Sequence, residues 1–142
     1  MARIYKVTDR IEVKIDDITV KLAPLTLPQK TEINQLMAQG TVKRDYKLIQ
    51  EGITKSIQYS LKHIGGVEDG DGIPYKLTFD EQGLVTEECI NDLYNLEMHK
   101  KLVMVCSSLV QSIPSNFTDQ HGNPVDGVEF VKSDKGQPTD PN

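Results

Sequence analysis

The chain has no tryptophan, and aromatic residues make up only 6% of its 142 positions. A core built from this composition must be aliphatic. Only two cysteines are present, Cys89 and Cys106, both inside apolar stretches. That is too few for a disulfide framework, and it predicts two reduced, buried thiols acting as small hydrophobes. No stretch approaches the roughly 20 apolar residues that a membrane-spanning helix needs. Met1–Lys14 holds no apolar run of the kind a secretory leader carries. The triplet Asn116-Phe117-Thr118 matches a glycosylation acceptor, and without a leader it reads as coincidence. Basic residues are outnumbered, 16 Lys and Arg against 21 Asp and Glu, for a net charge of -5. They are scattered from Arg3 to Lys135, and the densest group, Lys43, Arg44 and Lys47, is interrupted by Asp45. A phosphate backbone finds no basic face in such a pattern, so nucleic-acid binding is not expected.

What is present fits one globular unit. A chain of this length buries about 68–70% of the surface its unfolded form exposes, enough for a core without staples. Ile11, Val13 and Ile15 alternate with Glu12 and Lys14, and Ile18, Val20 and Leu22 alternate with Thr19 and Lys21. Period two predicts two strands, each with one apolar face, and Asp16-Asp17 between them predicts a tight hairpin. Tyr5 and Val7 offer a third short strand. Thr26 followed by Gln29 three residues later has the spacing of a capping box, with Pro28 in the first turn. The helix it opens carries Leu27, Ile33, Leu36 and Met37 and is expected to end at Gly40.

A second amphipathic helix is expected from Asp45 to His63, with Tyr46, Ile49, Ile53, Ile57 and Leu61 on one face and Gly65-Gly66 as its stop. After an acidic loop over 67–74, Tyr75, Leu77 and Phe79 alternate as a short strand. Thr86 caps a short helix bearing Ile90 and Leu93. The most apolar helix is expected from Leu96 to Ile113, ending at Pro114, with Ile53, Ile57, Leu102, Val105, Cys106 and Leu109 buried together. The segment 114–142 holds four of the seven prolines and is expected to be a separate, polar, flexible tail, mobile from Ser133 on. Within it Val128–Val131 forms an apolar island suited to docking. No internal repeat is evident. The fold class is α+β: an N-terminal hairpin packed with about four helices, residues 1–113 forming the domain.

Few residues suggest chemistry. A calcium loop starting at Asp69 needs a ligand at its fifth position and glycine at its sixth, where Ile73 and Pro74 stand. His63, His99 and His121 share no metal-ligand spacing with each other or with the cysteines. Glu87, Glu88 and Glu97 offer a set of paired carboxylates, but acidic residues in a helix's first turn have a structural reason to be there. No nucleophile elbow or phosphate loop is present. The expectation is therefore a protein that binds other proteins, not an enzyme, with no catalytic, cofactor or metal residues and a partner surface that the sequence does not place.

One resemblance bears on the partner. The strand from Ile18 that runs through Ala23-Pro24-Leu25-Thr26-Leu27 into a helix at Gln29 is similar to tail assembly chaperones of long-tailed bacteriophages, of the siphophage and prophage type. So are Gly65-Gly66-Val67, the Asp/Gly loop and Tyr75–Phe79, and Leu84–Ile113 with its Asn95-Leu96-Glu97 break. The resemblance spans residues 11–113 and lies in layout and short phrases, not in a diagnostic motif. It implies a protein of the host cytoplasm that binds the helical tape-measure protein, keeps it soluble and promotes tail-tube assembly. It also implies homo-oligomers and a longer, frameshifted form that recruits the tail-tube protein. It carries no catalytic or cofactor residues. Two alternatives remain: a structural subunit of a phage tail or connector, which unlike a chaperone would persist in purified particles, and a small regulatory protein of a mobile element.

Overall fold

A computed structural model of the chain describes residues 3–114, 116–119 and 121–134. The elements, in chain order, are strands β1 (Arg10–Ile15) and β2 (Ile18–Leu22), helices α1 (Leu27–Lys43) and α2 (Tyr46–Ser60), and strand β3 (Leu61–Gly65). They are followed by helices α3 (Glu87–Leu93) and α4 (His99–Ser108) and strand β4 (Val128–Asp134). The architecture is α+β, with four helices and a four-stranded antiparallel sheet in the order β3-β2-β1-β4.

The hairpin forms as its alternation dictates. Val13 pairs with Val20 and Ile15 with Ile18, and Asp16 takes φ 54° at the turn. Ile11, Val13, Ile15, Ile18, Val20 and Leu22 are all buried and share one core cluster with the helices. One extra residue sits in β3 opposite the Lys21/Leu22 step, because Leu22 faces Leu61 while Lys21 faces His63. That bulge inserts Lys62 and lets Leu61 and Ile64, three apart, both point into the core.

The capping box at Thr26 is present in both directions. The Thr26 hydroxyl accepts from the Gln29 N–H (3.3 Å), and the Thr26 N–H donates to Gln29 Oε1 (2.9 Å). Gly40 does not end α1; the helix runs to Lys43, and Arg44 provides the left-handed cap at φ 52°. Gly40 serves close packing instead. A Cβ there would lie 2.5 Å from Ile49 Cγ1 and 2.9 Å from Ile49 N, so glycine lets the start of α2 approach α1.

Three other expected boundaries shift for identifiable reasons. The second helix stops at Ser60, not His63, because residues 61–65 pair with β2; long-range pairing overrides local helix propensity. Tyr46 falls off its apolar face and is 84% exposed. Tyr75–Phe79 is extended but belongs to no strand: the Thr78 carbonyl accepts from the Thr86 N–H (3.1 Å) and the Thr78 N–H donates to Cys89 Sγ (3.2 Å). The last helix is shorter than Leu96–Ile113. It begins at His99 after a turn and ends at Ser108, where the chain tightens into i-to-i+3 bonds such as Val110 N–H to Ser107 O (3.1 Å).

The expected break after Ile113 also fails among the described residues. Phe117 is buried in the core, and β4 pairs antiparallel with β1 from Val128 through Asp134. The apolar island Val128–Val131 is thus a sheet strand, and the stretch expected to be mobile from Ser133 begins inside it. Residues 135–142 of that stretch lie outside the described residues.

A loop does repeat. Asp69, Asp80 and Asp119 each open a small hairpin with glycine three residues on, and the three glycines have φ of 78°, 78° and 82°. In each, one carboxylate oxygen accepts two backbone N–H groups, those of Asp71 and Ile73, of Gln82 and Leu84, and of His121 and Asn123. The Asp/Gly loop at 69–73 is therefore a turn closed by its own aspartate, bonded like the loop at Asp80, which has no second aspartate.

Candidate functional site

The helices α1 and α2 form an antiparallel pair that leans on α4 through α2. Small residues set the spacing. Gly52 lies under Met37 of α1, and on the α4 side the Ser56 and Ser107 hydroxyls approach to 3.4 Å. Ser56 also donates to Ile53 O (2.6 Å), and Ser60 donates to Ser56 O (2.6 Å), so these hydroxyls are satisfied although both side chains are buried. Where α1 diverges from the end of α4, a cleft of about 250 Å³ opens between them. Ile33, Met37, Ile53 and Val110 form its apolar walls, and Asn34 and Gln111 stand at its polar margin.

Ile53 departs from the core expected for it. Ile57, Leu102, Val105, Cys106 and Leu109 are buried in one cluster, whereas Ile53 is half-buried and faces the cleft. Periodicity placed it on the inward face; the gap between α1 and α4 leaves that face partly uncovered. Val42 and Tyr46, exposed at 82% and 84%, flank the turn between α1 and α2. Across the pair, the Tyr59 hydroxyl donates a short hydrogen bond to Glu32, and Lys55 lies 3.7 Å from the same carboxylate. Burial, then Glu32, push the Tyr59 hydroxyl up to about 12.

The residues weighed for chemistry are dispersed. His63 sits on β3, His99 opens α4 with Nδ1 2.8 Å from Leu96 O, and His121 occupies the tip of the third Asp-Gly hairpin. Glu87 and Glu88 are exposed in the first turn of α3, and Glu97 is exposed before α4. Among the described residues, no three His, Cys, Asp or Glu side chains converge as a metal site. Both thiols are free and buried. Desolvation pushes Cys106 up to about 12, against a hydrogen bond from Ser60. Cys89 is also pushed up by burial, but hydrogen bonds from Thr78, Tyr75 and Thr86 outweigh it and the net shift is downward.

A second concavity runs beside β3. No sequence signal marks it, because it depends on β3 being a strand where the pattern continues a helix. Its volume is about 430 Å³, with residues 62–67 on one side and Pro74–Leu77 with Phe79 on the other. Among the described residues no helix is long and apolar enough to cross a membrane. The chain matches no family model, no curated protein and no solved structure.

Proposed function

We propose that this chain is a tail assembly chaperone of a long-tailed bacteriophage, which binds the tape-measure protein in the host cytoplasm, keeps it soluble and promotes tail-tube assembly. The observation that carries the reading is the apolar cleft between α1, α2 and the end of α4. An amphipathic helix is recognised by laying its apolar face into such a groove, with anchors at three- and four-residue steps. Met37 suits a client with many related helical segments, since its unbranched thioether side chain adapts to differing shapes. The net charge of -5 favours a basic helical client. The layout that resembles the chaperones, residues 11–113, contains the whole cleft.

Co-expression tests it. The tape-measure protein alone is expected in the insoluble fraction and, with this chain, in the soluble fraction bound to it. Met37→Asp with Ile53→Asp is expected to return it to the insoluble fraction while leaving the domain folded. Purified particles should lack the chain; its presence there in stoichiometric amount would make it a structural subunit instead.

A further inference from the structure

We propose that the outer edge of β3, with the groove beside it, takes an extended acidic segment of a partner protein by strand addition. The first observation is the backbone. β3 is an edge strand, and among the described residues no backbone hydrogen bond crosses its outer side. Consecutive residues from Lys62 to Val67 line the groove, so it follows the strand's edge and not one of its faces. Backbone donors and acceptors in a groove of this shape recognise an extended chain.

The second observation is that the groove is held open. The Tyr75 N–H donates to Val67 O (2.8 Å), which starts an antiparallel pairing just past β3. That pairing then splays, because the far wall is bonded to α3 and its cap: Tyr75 donates to Asp92 Oδ2 (2.6 Å), and Thr78 holds Cys89 and Thr86. Segment 75–79 is thereby kept from closing onto β3. Phe79, 41% exposed, gives the groove an apolar wall.

The third observation is charge. In an acidic protein this groove carries Lys62 and Lys76, and Arg10 acts on Lys62 from β1, which lies beyond β2 in the sheet. Asp80 is the acidic group acting on Lys62, whose ammonium also donates to Gly83 O (3.1 Å). Glu68, Asp69 and Asp92 line an adjoining cleft that meets the groove at Val67 and Tyr75, beyond the end of β3. β3 carries no carboxylate, so a second copy docking β3 on β3 would bring nothing acidic to meet Lys62 and Lys76. Its β4 docking there instead would be a head-to-tail contact, which builds a ring or an open filament and not a two-fold dimer. An acidic strand from a different protein meets neither obstacle. This site is separate from the helix cleft of the proposed function and does not depend on it.

Isotope-labelled full-length protein titrated with a blocked eight-residue peptide of alternating valine and glutamate tests the inference. Saturable amide shifts confined to residues 61–67 and 75–79 are expected, with slower hydrogen exchange in β3. Replacing glutamate by lysine in the peptide, or N-methylating its alternate amides, should weaken binding at least tenfold. Lys76→Glu, at an exposed position, should also weaken binding at an unchanged melting temperature. No shifts at millimolar peptide, equal binding of all three peptides, or shifts at Met37 and Ile53 instead would overturn it. Dimers that dissociate as the peptide binds would assign the edge to a second copy and also overturn it.

Discussion

Alanine at Gly40 and alanine at Gly52 should change stability in opposite directions, although both glycines lie in the same helix pair. In a helix interior, alanine is favoured over glycine by about 0.8–1.0 kcal/mol. At Gly40 the added carbon would meet Ile49 Cγ1 at 2.5 Å, Ile49 N at 2.9 Å and Asp45 O at 3.1 Å. The last two are backbone atoms in the first turn of α2, where Asp45 also caps the helix through Lys47 N–H (2.9 Å). They cannot swing aside, so α2 must shift. Overpacking of this kind costs about 1–3 kcal/mol, which outweighs the propensity gain and leaves a net loss of about 1 kcal/mol. At Gly52 the nearest atoms are Met37 Sδ at 2.9 Å and Cγ at 3.2 Å. Those belong to a flexible side chain beside an open cleft, so the gain should survive in part, as about 0.5 kcal/mol of added stability. Urea unfolding of the two variants, with slopes matching wild type, reads both effects. A stabilising Gly40→Ala, or a Gly52→Ala more damaging than Gly40→Ala, would refute the packing argument.

Leu109, 1% exposed, anchors the end of α4, and Leu109→Ala should cost about 2–5 kcal/mol in the same assay; a loss below about 0.5 would contradict its place in the core. Stability should fall as pH rises from about 9 toward 12. The folded Cys106 and Tyr59 hold their protons to higher pH than the unfolded chain does, so their contribution is complete below the unfolded values and is lost above them. Cys106→Ala should remove the earlier part of that decline, and an unchanged alkaline limb would argue against it. Iodoacetamide at mildly alkaline pH should label Cys89 before Cys106, since the Cys89 thiol is shifted down and the Cys106 thiol up; equal rates would refute the assignment. Truncation after Gly127 removes β4 and the half-buried Val128 and Phe130, and should cost about 3 kcal/mol or more, read as a lowered urea midpoint.

Elements whose signal is local were legible. The β1–β2 hairpin follows from strict alternation around Asp16-Asp17, the start of α1 from Thr26 and Gln29, and α3 from Thr86. What depended on distant partners was not. Residues 61–65 continue an amphipathic helix by pattern and become a strand only because β2 offers them an edge. Val128–Asp134 looks like the start of a polar tail and is held by β1. Gly40 looks like a stop signal and is a packing contact with Ile49. The repeated hairpins at Asp69, Asp80 and Asp119 share an aspartate and a glycine three residues on, a signal present in the sequence but diluted by otherwise unlike residues. The same division holds for surfaces. The helix cleft was not placed by the sequence, because its opening depends on how far α1 stands from α4. The β3 groove was invisible, since its strand was read as a helix.

A helical client seated between α1, α2 and α4 must perturb the residues that line that cleft. Titrating isotope-labelled protein with a soluble helical fragment of the tape-measure protein tests it most directly. The account predicts saturable shifts centred on Ile33, Met37, Ile53 and Val110, absent in the Met37→Asp, Ile53→Asp variant. Binding that leaves those four residues unperturbed, or that persists undiminished in the variant, would contradict it.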